Sequence, residues 1–214
     1  KNEDFVVFNK PNGVLTHPVN SNSEISVRDK LLEIEPSIAE WGIEKREGIV
    51  HRLDKVTSGL IVGALNYETF TNLQSLFKKR KVYKEYSCLV EGHLKTQSGV
   101  IELPLSKSKQ NRTKRSVSSG GKISTSQFEV IHEYKTCTKL KIQLITGRNH
   151  QIRSQMEYLG NPIINDVLYS AKKVESLNKN QICLMSKKLK FNHKNNNYEF
   201  EVSEPDFFNA VINV

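Results

Sequence analysis

Apolar and polar residues alternate in several short stretches of the chain, a pattern typical of strands with one buried face. The alternation is regular at 139–145, where Leu140, Ile142 and Leu144 would share one face. A continuous apolar run at 60–65 has the length of a strand buried on both faces. Further strands are predicted at 4–9, 82–90, 122–132, 182–191 and 198–202, and 48–50 is predicted to end another.

Apolar residues recur at helical spacing in three other stretches. The first helix is predicted over 26–33, where Ser26 and Asp29 resemble a capping box. The second is predicted to start after the N-cap Asn66 and to end in the basic run 78–81, and the third covers 149–159. Long strands with few, separated helices predict an α+β protein whose central sheet is mixed and mostly antiparallel, flanked by helices and loops.

The length of 214 residues allows one substantial core or two small lobes. We expect a single domain over 1–214, built of two intimately packed lobes around a cleft. No apolar run approaches the roughly 20 residues of a transmembrane helix, so no membrane partner is expected. The chain starts at Lys1 without a methionine, which suggests a fragment of a longer protein. The three cysteines are widely spaced and form no CxxC pair, which favours a reducing compartment and buried, inert thiols.

The formal net charge of +9 suits a partner rich in phosphate. The alternative is the lysine-rich composition that an AT-rich genome produces. The segment 106–121 is serine-rich and basic with no acidic residue, and we expect Arg112, Lys114 and Arg115 in it to contact the phosphates of RNA. A solvated, mobile loop would have the same composition.

The chemistry is expected at His51-Arg52-Leu53-Asp54, between the predicted strand end at 48–50 and the strand at 60–65. A carboxylate on a loop between two strands can point into a cleft while its backbone stays rigid. The neighbours Arg52 and Lys55 would favour its ionised form, which a nucleophile needs. Taken alone, Asp54 fits a turn aspartate bonded to its own backbone, with Thr57 and Ser58 as partners, better than it fits a nucleophile.

The longer pattern HRLDxxTSG at 51–59 resembles the catalytic motif of the RluA-type family of RNA pseudouridine synthases, with Asp54 at the family's aspartate. Further segments resemble the family in order. They are Lys10-Pro11-Asn12-Gly13 with His17-Pro18, Lys84-Glu85-Tyr86, the basic run 112–115 with Gly121-Lys122, Thr146-Gly147-Arg148-Asn149-His150-Gln151-Ile152-Arg153, and 160–164 with Asp166 and Tyr169. The resemblance covers about 4–208 and includes no accessory RNA-binding domain.

The chain departs from the family's pattern at three places. Asn165 and Ser170 stand where glycine is usual, and 184–186 reads Leu-Met-Ser instead of Leu-His-Ala. None of these positions carries the reaction, and we expect the packing of the sheet and helix to be altered there.

The resemblance implies a catalytic set of Asp54, Tyr86 and Arg148. The enzyme breaks the bond from uracil nitrogen to ribose, turns the base and rejoins it through carbon. Asp54 would be the nucleophile, Arg148 would pair with its carboxylate, and Tyr86 would stack on the base. Core packing is the alternative for Tyr86, and a phosphate contact or helix-start arginine for Arg148. The isomerisation implies no cofactor and no metal.

The resemblance also implies residues that bind the substrate RNA. A uridine in a stem must be flipped out, and Arg52 would fill the space it leaves. His51 would fix the loop, Lys84 belongs to the strand motif of Tyr86, and Arg153 is either a phosphate contact or a structural ion pair. The expected partner is ribosomal or transfer RNA, and the expected location is the cytoplasm or an organelle with its own RNA. We expect a monomer.

Three other functions are weaker interpretations. The histidines and aspartates show no spacing of metal ligands, and Gly120-Gly121-Lys122 lacks the rest of a phosphate-binding loop. A noncatalytic RNA-binding or RNA-folding protein that keeps the synthase fold is the serious alternative. It predicts loss of Asp54, Tyr86 or Arg148, and all three are present.

Overall fold

The computed structural model of this chain describes residues 1–19, 24–42 and 46–212. Two short 3-10 helices occur at Pro36–Trp41 and Val167–Tyr169. The strands and α-helices, in chain order, are β1 (Phe5–Lys10), α1 (Val27–Ile34), β2 (Ser58–Ala64), α2 (Tyr67–Lys78), β3 (Tyr83–Glu91), β4 (Ser98–Lys107), β5 (Arg115–Val117), β6 (Lys122–Glu133), β7 (Cys137–Leu144), α3 (Gln151–Tyr158), β8 (Leu184–His193), β9 (Asn196–Glu201) and α4 (Phe207–Ile212).

These elements fall into two compact units. The first comprises Lys1–Tyr83 and Lys188–Val202, and the second comprises Lys84–Lys187 and Ser203–Val214. The ladders with a described register are antiparallel, and the parallel contact described is an isolated bridge between Leu15 and Ser26. Long strands with few helices confirm the α+β prediction.

The first unit is organised around β2, which is buried at every position. β1 pairs with β2 from Phe5 opposite Ala64 to Lys10 opposite Gly59. Successive residues of a strand point to opposite faces, so both faces of β2 need a cover. Leu60 and Val62 pack in a cluster with Phe70 and Leu73 of α2, while Ile61 packs in a second cluster with Leu31 of α1. The run at 60–65 is continuously apolar because both faces of β2 are buried in this way.

The helices that cover β2 begin where the sequence predicts. Ser26 and Asp29 form the capping box at the start of α1. The Asn66 side chain accepts a hydrogen bond from the Thr69 amide (2.9 Å) and caps α2. Each cap satisfies backbone donors that the first turn leaves without a partner.

The second unit carries the strand order β3-β7-β6-β4-β5, with each neighbouring pair antiparallel. The buried helix α3 is joined to this sheet by polar contacts. The Ser126 hydroxyl on β6 donates to Gln155 Oε1 (2.6 Å), and Gln155 Nε2 donates to the Ser124 carbonyl (3.0 Å). These bonds fix α3, and with it the turn that precedes it, against the sheet.

Several elements differ from the prediction. The segment 106–121 is only partly a loop, because 115–117 forms β5 and pairs with 105–107. β4 was not predicted, since Gly99 and Pro104 interrupt its pattern; Pro104 is tolerated because the pairing with β5 begins one residue later, at Leu105. The strand predicted to end at 48–50 is wrong: Ile49 forms a single bridge to Gly63. α4 was also not predicted.

Within the described residues, no helix is long and apolar enough to cross a membrane.

Candidate active-site residues

Asp54 lies in the first unit, on the loop that leads into β2. The preceding residue, Leu53, is buried and exchanges two hydrogen bonds with Thr16. The Leu53 amide donates to Thr16 Oγ1 (3.1 Å), and the Thr16 hydroxyl donates to the Leu53 carbonyl (2.8 Å). The Thr57 amide donates to the Asp54 carbonyl (3.1 Å). The backbone is therefore held on both sides of Asp54, whose side chain is half-buried.

The segment 10–16 braces the other half of this loop. The Gly13 amide donates to the Lys55 carbonyl (2.8 Å), and the Asn12 side chain donates to the Val56 carbonyl (2.6 Å). Two segments that resemble separate family motifs, about 40 residues apart in the chain, are thus one hydrogen-bonded assembly.

Lys10 is the buried cation of this assembly. It is 1% exposed, and its ammonium donates to the carbonyls of Pro11 (3.0 Å), Val14 (2.9 Å) and Lys55 (3.3 Å). Burial lowers the pKa of Lys10 to about 8, and the attraction of the Asp54 carboxylate opposes this lowering. The Lys10 ammonium therefore lies within electrostatic reach of the Asp54 carboxylate.

The two cations near Asp54 in the sequence, Arg52 and Lys55, lie in different environments. The Lys55 ammonium pairs with Glu24 (2.8 Å). Arg52 is exposed to solvent. Lys10, which is far from Asp54 in the sequence, also interacts electrostatically with the Asp54 carboxylate, and adjacency in sequence did not reveal this.

His51 connects the loop to the body of the first unit. Its Nε2 accepts a hydrogen bond from the Val62 amide on β2 (3.0 Å), and its ring stacks on Phe77 of α2 with centroids 4.4 Å apart and planes 14° apart. An Nε2 that accepts this bond is unprotonated, so the stacked ring is a neutral imidazole with its proton on Nδ1.

Arg148 lies in the second unit, in the turn between β7 and α3. Gln151, which is buried, organises this turn: its Oε1 accepts from the Arg148 amide (3.0 Å) and from the Thr146 hydroxyl (2.8 Å). Gln151 Nε2 donates to the Thr125 carbonyl on β6 (3.1 Å). The turn backbone is thereby fixed to the sheet, while the Arg148 side chain is exposed.

Lys84 and Tyr86 lie on β3 in the same unit. Lys84 Nζ is 3.7 Å from the position that a Cβ on Gly147 would occupy, so this ammonium is next to the Arg148 turn. Tyr86 is opposite Ile142 on β7 and is 7% exposed. This burial is compatible with core packing as well as with contact to a base.

The basic residues predicted to bind RNA do not share one environment. Arg112 is exposed, whereas Lys114 pairs with Glu157 (2.7 Å) and lies 4.8 Å from the centroid of the Tyr169 ring. The Arg115 amide donates to the Tyr169 hydroxyl (2.8 Å). Tyr169, which is fully buried, therefore ties the basic segment to the second unit.

Arg153 is a buried partner of Asp166. Its Nε donates to Asp166 Oδ2 (2.6 Å) and its Nη2 to Oδ1 (2.8 Å), with both side chains at most 5% exposed. The guanidinium also lies 4.8 Å from the Tyr169 centroid. Of the two alternatives for Arg153, this geometry favours the structural ion pair over the phosphate contact.

Sequence reasoning did not single out the residues that position the candidates. Thr16, Gln151 and Tyr169 each make bonds that hold a functional segment in place. In the sequence, Gln151 and Tyr169 appear within the motifs that resemble the family, but no role was predicted for either. Thr16 is marked only by its place before His17-Pro18. A polar side chain reveals such a role only when burial and partners are known.

The buried cysteines are poor alternatives to Asp54 as a nucleophile. Burial raises the pKa of the Cys88 and Cys183 thiols, which keeps them protonated at neutral pH. Among the residues that the structure describes, no three His, Cys, Asp or Glu side chains are grouped to hold a metal ion.

The chain resembles proteins of known family in sequence. A model of the family described as RNA pseudouridylate synthase matches residues 4–158. The ribosomal large subunit pseudouridine synthase D of Blochmanniella floridana is 37% identical over 169 residues, which are 79% of this chain and 52% of that protein. The Haemophilus ducreyi protein of the same name is 34% identical over 172 residues, 80% of this chain and 52% of that one. The chain thus spans about half the length of the curated relatives it matches.

The fold also resembles solved structures. The human proteins RNA pseudouridylate synthase domain containing 4 and domain containing 1 both match with a TM-score of 0.76, at 22% and 23% identity. The two matches cover 97% and 96% of this chain, and 88% and 82% of the respective human chains. At this identity the match shows the fold. Since the family model covers well over half of its residues, the chain belongs to the RNA pseudouridylate synthase family.

Proposed function

We propose that this protein isomerises specific uridines of ribosomal RNA to pseudouridine, with Asp54 as the nucleophile. The observation that carries the proposal is the loop at 51–57, whose backbone is fixed around Asp54 and whose carboxylate has the buried cation Lys10 nearby. A nucleophile that must hold an intermediate while a base turns over needs an ionised carboxylate on a rigid support. The names of the curated relatives support RNA of the large ribosomal subunit as the substrate, ahead of transfer RNA.

The reaction breaks the glycosidic bond at the uracil nitrogen and forms a bond from the ribose to a uracil carbon. The carbon loses its proton and the nitrogen gains one, so the atoms balance without an oxidant, a reductant or a cofactor. Asp54 holds the intermediate between the two steps. The proposal gives Arg148 the role of pairing with this carboxylate and Tyr86 that of stacking on the base.

Arg52 is proposed to replace the extruded nucleotide. Its side chain is exposed and lies two residues before Asp54 on the fixed loop, a combination that suits insertion into a base stack. Arg112 is proposed as a phosphate contact because it is exposed. Lys114 and Arg115 belong to the proposal as supports of the same segment, since both are engaged with Tyr169.

The test is to incubate the protein with ribosomal and transfer RNA from a host that lacks its gene and then to map pseudouridines chemically. The native chain is expected to create new sites, and Asp54→Asn, which keeps the shape of the side chain, is expected to create none. Glu24→Gln is the matched control: it makes the same carboxylate-to-amide change beside the loop, at a side chain 67% exposed that pairs with Lys55. This control is expected to keep the modification.

The outcomes separate two functions of different class. Modification by Asp54→Asn at the native rate would show that another residue is the nucleophile. A native chain that binds RNA but modifies no transcript would favour the noncatalytic RNA-binding protein. Sites found only in transfer RNA would correct the substrate and leave the activity standing.

A further inference from the structure

Four consecutive basic residues, Lys78 to Lys81, form a feature that the proposed chemistry does not use. We call these four residues the basic ridge. All four are exposed, and none of them makes an ion pair or a side-chain hydrogen bond within the described residues. Several other cations of the first unit are paired within the fold, among them Arg28 with Glu47, Lys188 with Glu201, and Lys194 with Asp4. The charge of the basic ridge is therefore available to a partner.

The backbone at Arg80 gives independent evidence that this charge has a use outside the fold. Arg80 has a φ of +59°, and the Lys81 amide donates to the Leu76 carbonyl (2.9 Å), a bond that closes the end of α2. At the left-handed residue of such a closure glycine is preferred, because a Cβ there is strained. The helix dipole favours a cation at this end of α2, but on an exposed side chain that gain is smaller than the strain of the left-handed conformation, so the fold alone would favour glycine.

The ridge starts beside the loop that carries Asp54. Phe77, the residue before Lys78, stacks on His51 with centroids 4.4 Å apart. His51 is followed by the exposed Arg52 and, three positions on, by Asp54. An RNA that delivers a nucleotide to this loop brings its flanking phosphates to the surface around it.

We infer that the basic ridge binds the phosphate backbone of the substrate RNA next to the nucleotide delivered to Asp54. The inference rests on the proposed function, since it takes the substrate to be RNA. Four exposed cations neutralise phosphates without reading the sequence, so the ridge contributes affinity and position, and the loop contributes the chemistry.

The sharpest test is Arg80→Gly, because folding and binding should change in opposite directions. Relief of the strained conformation is expected to raise Tm by about 2 to 4 °C. Removal of the cation is expected to weaken binding of a fluorescein-labelled transcript of large-subunit ribosomal RNA several-fold. The slope of log K against log[salt] should become shallower by about 0.7 to 0.9 for each phosphate that the variant no longer neutralises.

The other ridge cations are tested together. Lys78→Gln/Lys79→Gln/Lys81→Gln is expected to reduce the salt slope by about 2 to 3, and to raise KM for the RNA while kcat at saturating RNA stays near its native value. The matched control is Lys30→Gln/Lys173→Gln, which removes two exposed lysines that pair with glutamates. The control is expected to leave the slope and KM unchanged.

The outcomes distinguish this inference from the proposed function. If the native chain modifies RNA and the ridge variants keep its salt slope and KM, the ridge inference fails and the activity stands. If the native chain neither binds nor modifies RNA, the proposed function fails first. A lower Tm for Arg80→Gly would overturn the argument that Arg80 is retained at a cost to the fold.

Discussion

Arg153 lies in a motif that resembles the family, and its substitution tests directly whether it stabilises the fold or binds the substrate RNA. Its guanidinium makes two bonds to Asp166, at 2.6 and 2.8 Å, and both side chains are almost fully buried. Arg153→Met keeps most of the length of the side chain but leaves the Asp166 carboxylate without its cation. We expect the variant to lose stability before it loses any specific interaction with RNA.

The magnitude follows from the burial. Removal of one partner of a buried ion pair costs about 3 to 5 kcal/mol, because the remaining charge is neither solvated nor paired. The substitution also removes the cation that lies 4.8 Å from the centroid of the Tyr169 ring. For a protein of this length each kcal/mol shifts Tm by about 2 to 4 °C, so Tm should fall by roughly 6 to 20 °C.

The assay is urea unfolding followed by circular dichroism, with binding of the labelled ribosomal RNA transcript measured below the transition. Arg153→Met/Asp166→Asn should recover part of the lost stability, since the neutral amide keeps the shape of the carboxylate and no uncompensated buried charge remains. Arg112→Met is the control for charge alone. Its arginine is exposed, so its stability should change by no more than about 0.5 kcal/mol.

The opposite pattern would refute this reasoning. If Arg153→Met unfolds at the native urea concentration yet binds RNA poorly, Arg153 is a phosphate contact. The buried pair with Asp166 would then not describe the state that meets the substrate.

Two further predictions concern stability. The pKa of Lys10 is lowered to about 8 in the folded chain and is about 10.4 in the unfolded chain, so between these pH values only the unfolded chain keeps the proton. The stability of the native chain should therefore rise with pH relative to that of Lys10→Met, by up to about 3 kcal/mol. Urea titrations at pH 7 to 10 measure the difference, and a constant difference would contradict the lowered pKa. Asn165→Gly relieves a φ of +65° but removes three side-chain hydrogen bonds, to the backbone of Val174, Asn178 and Gln181, and should cost about 1 to 3 kcal/mol in thermal unfolding. Ser170→Gly, also at positive φ, removes one exposed side-chain hydrogen bond, to the Glu157 carboxylate, and should cost less. An Asn165→Gly variant more stable than the native chain would contradict this reasoning.

Asn165 and Ser170 show how a departure from the family's pattern is accommodated. Both residues occupy the left-handed conformation that makes glycine usual at these positions. The Asn165 side chain makes hydrogen bonds to the backbone of the segment 174–181, which offset the strain of its left-handed conformation. The backbone geometry that the motif encodes is thus retained while the residue differs.

Local patterns in the sequence determined the elements and the identity of the candidates. The spacing of apolar residues located α1 and α2 with their caps, and the apolar run at 60–65 located the strand behind the Asp54 loop, because periodicity and capping depend on neighbours in the chain. The motif around Asp54 named the candidate nucleophile for the same reason. The apolar pattern did not predict β4 and β5. β4 forms despite Gly99 and Pro104 because it pairs with β6 on one side and β5 on the other, and the polar β5 is held by its pairing with β4.

Only the tertiary structure decided what surrounds each candidate. It placed the buried Lys10 near Asp54 and paired Lys55 with Glu24, although the sequence puts Lys55 next to Asp54 and Lys10 far from it. It also placed Arg153 on a buried carboxylate and left the basic ridge exposed. Burial and pairing determine whether a charge supports the fold or is available to RNA, and both depend on residues distant in the chain, which no local pattern encodes.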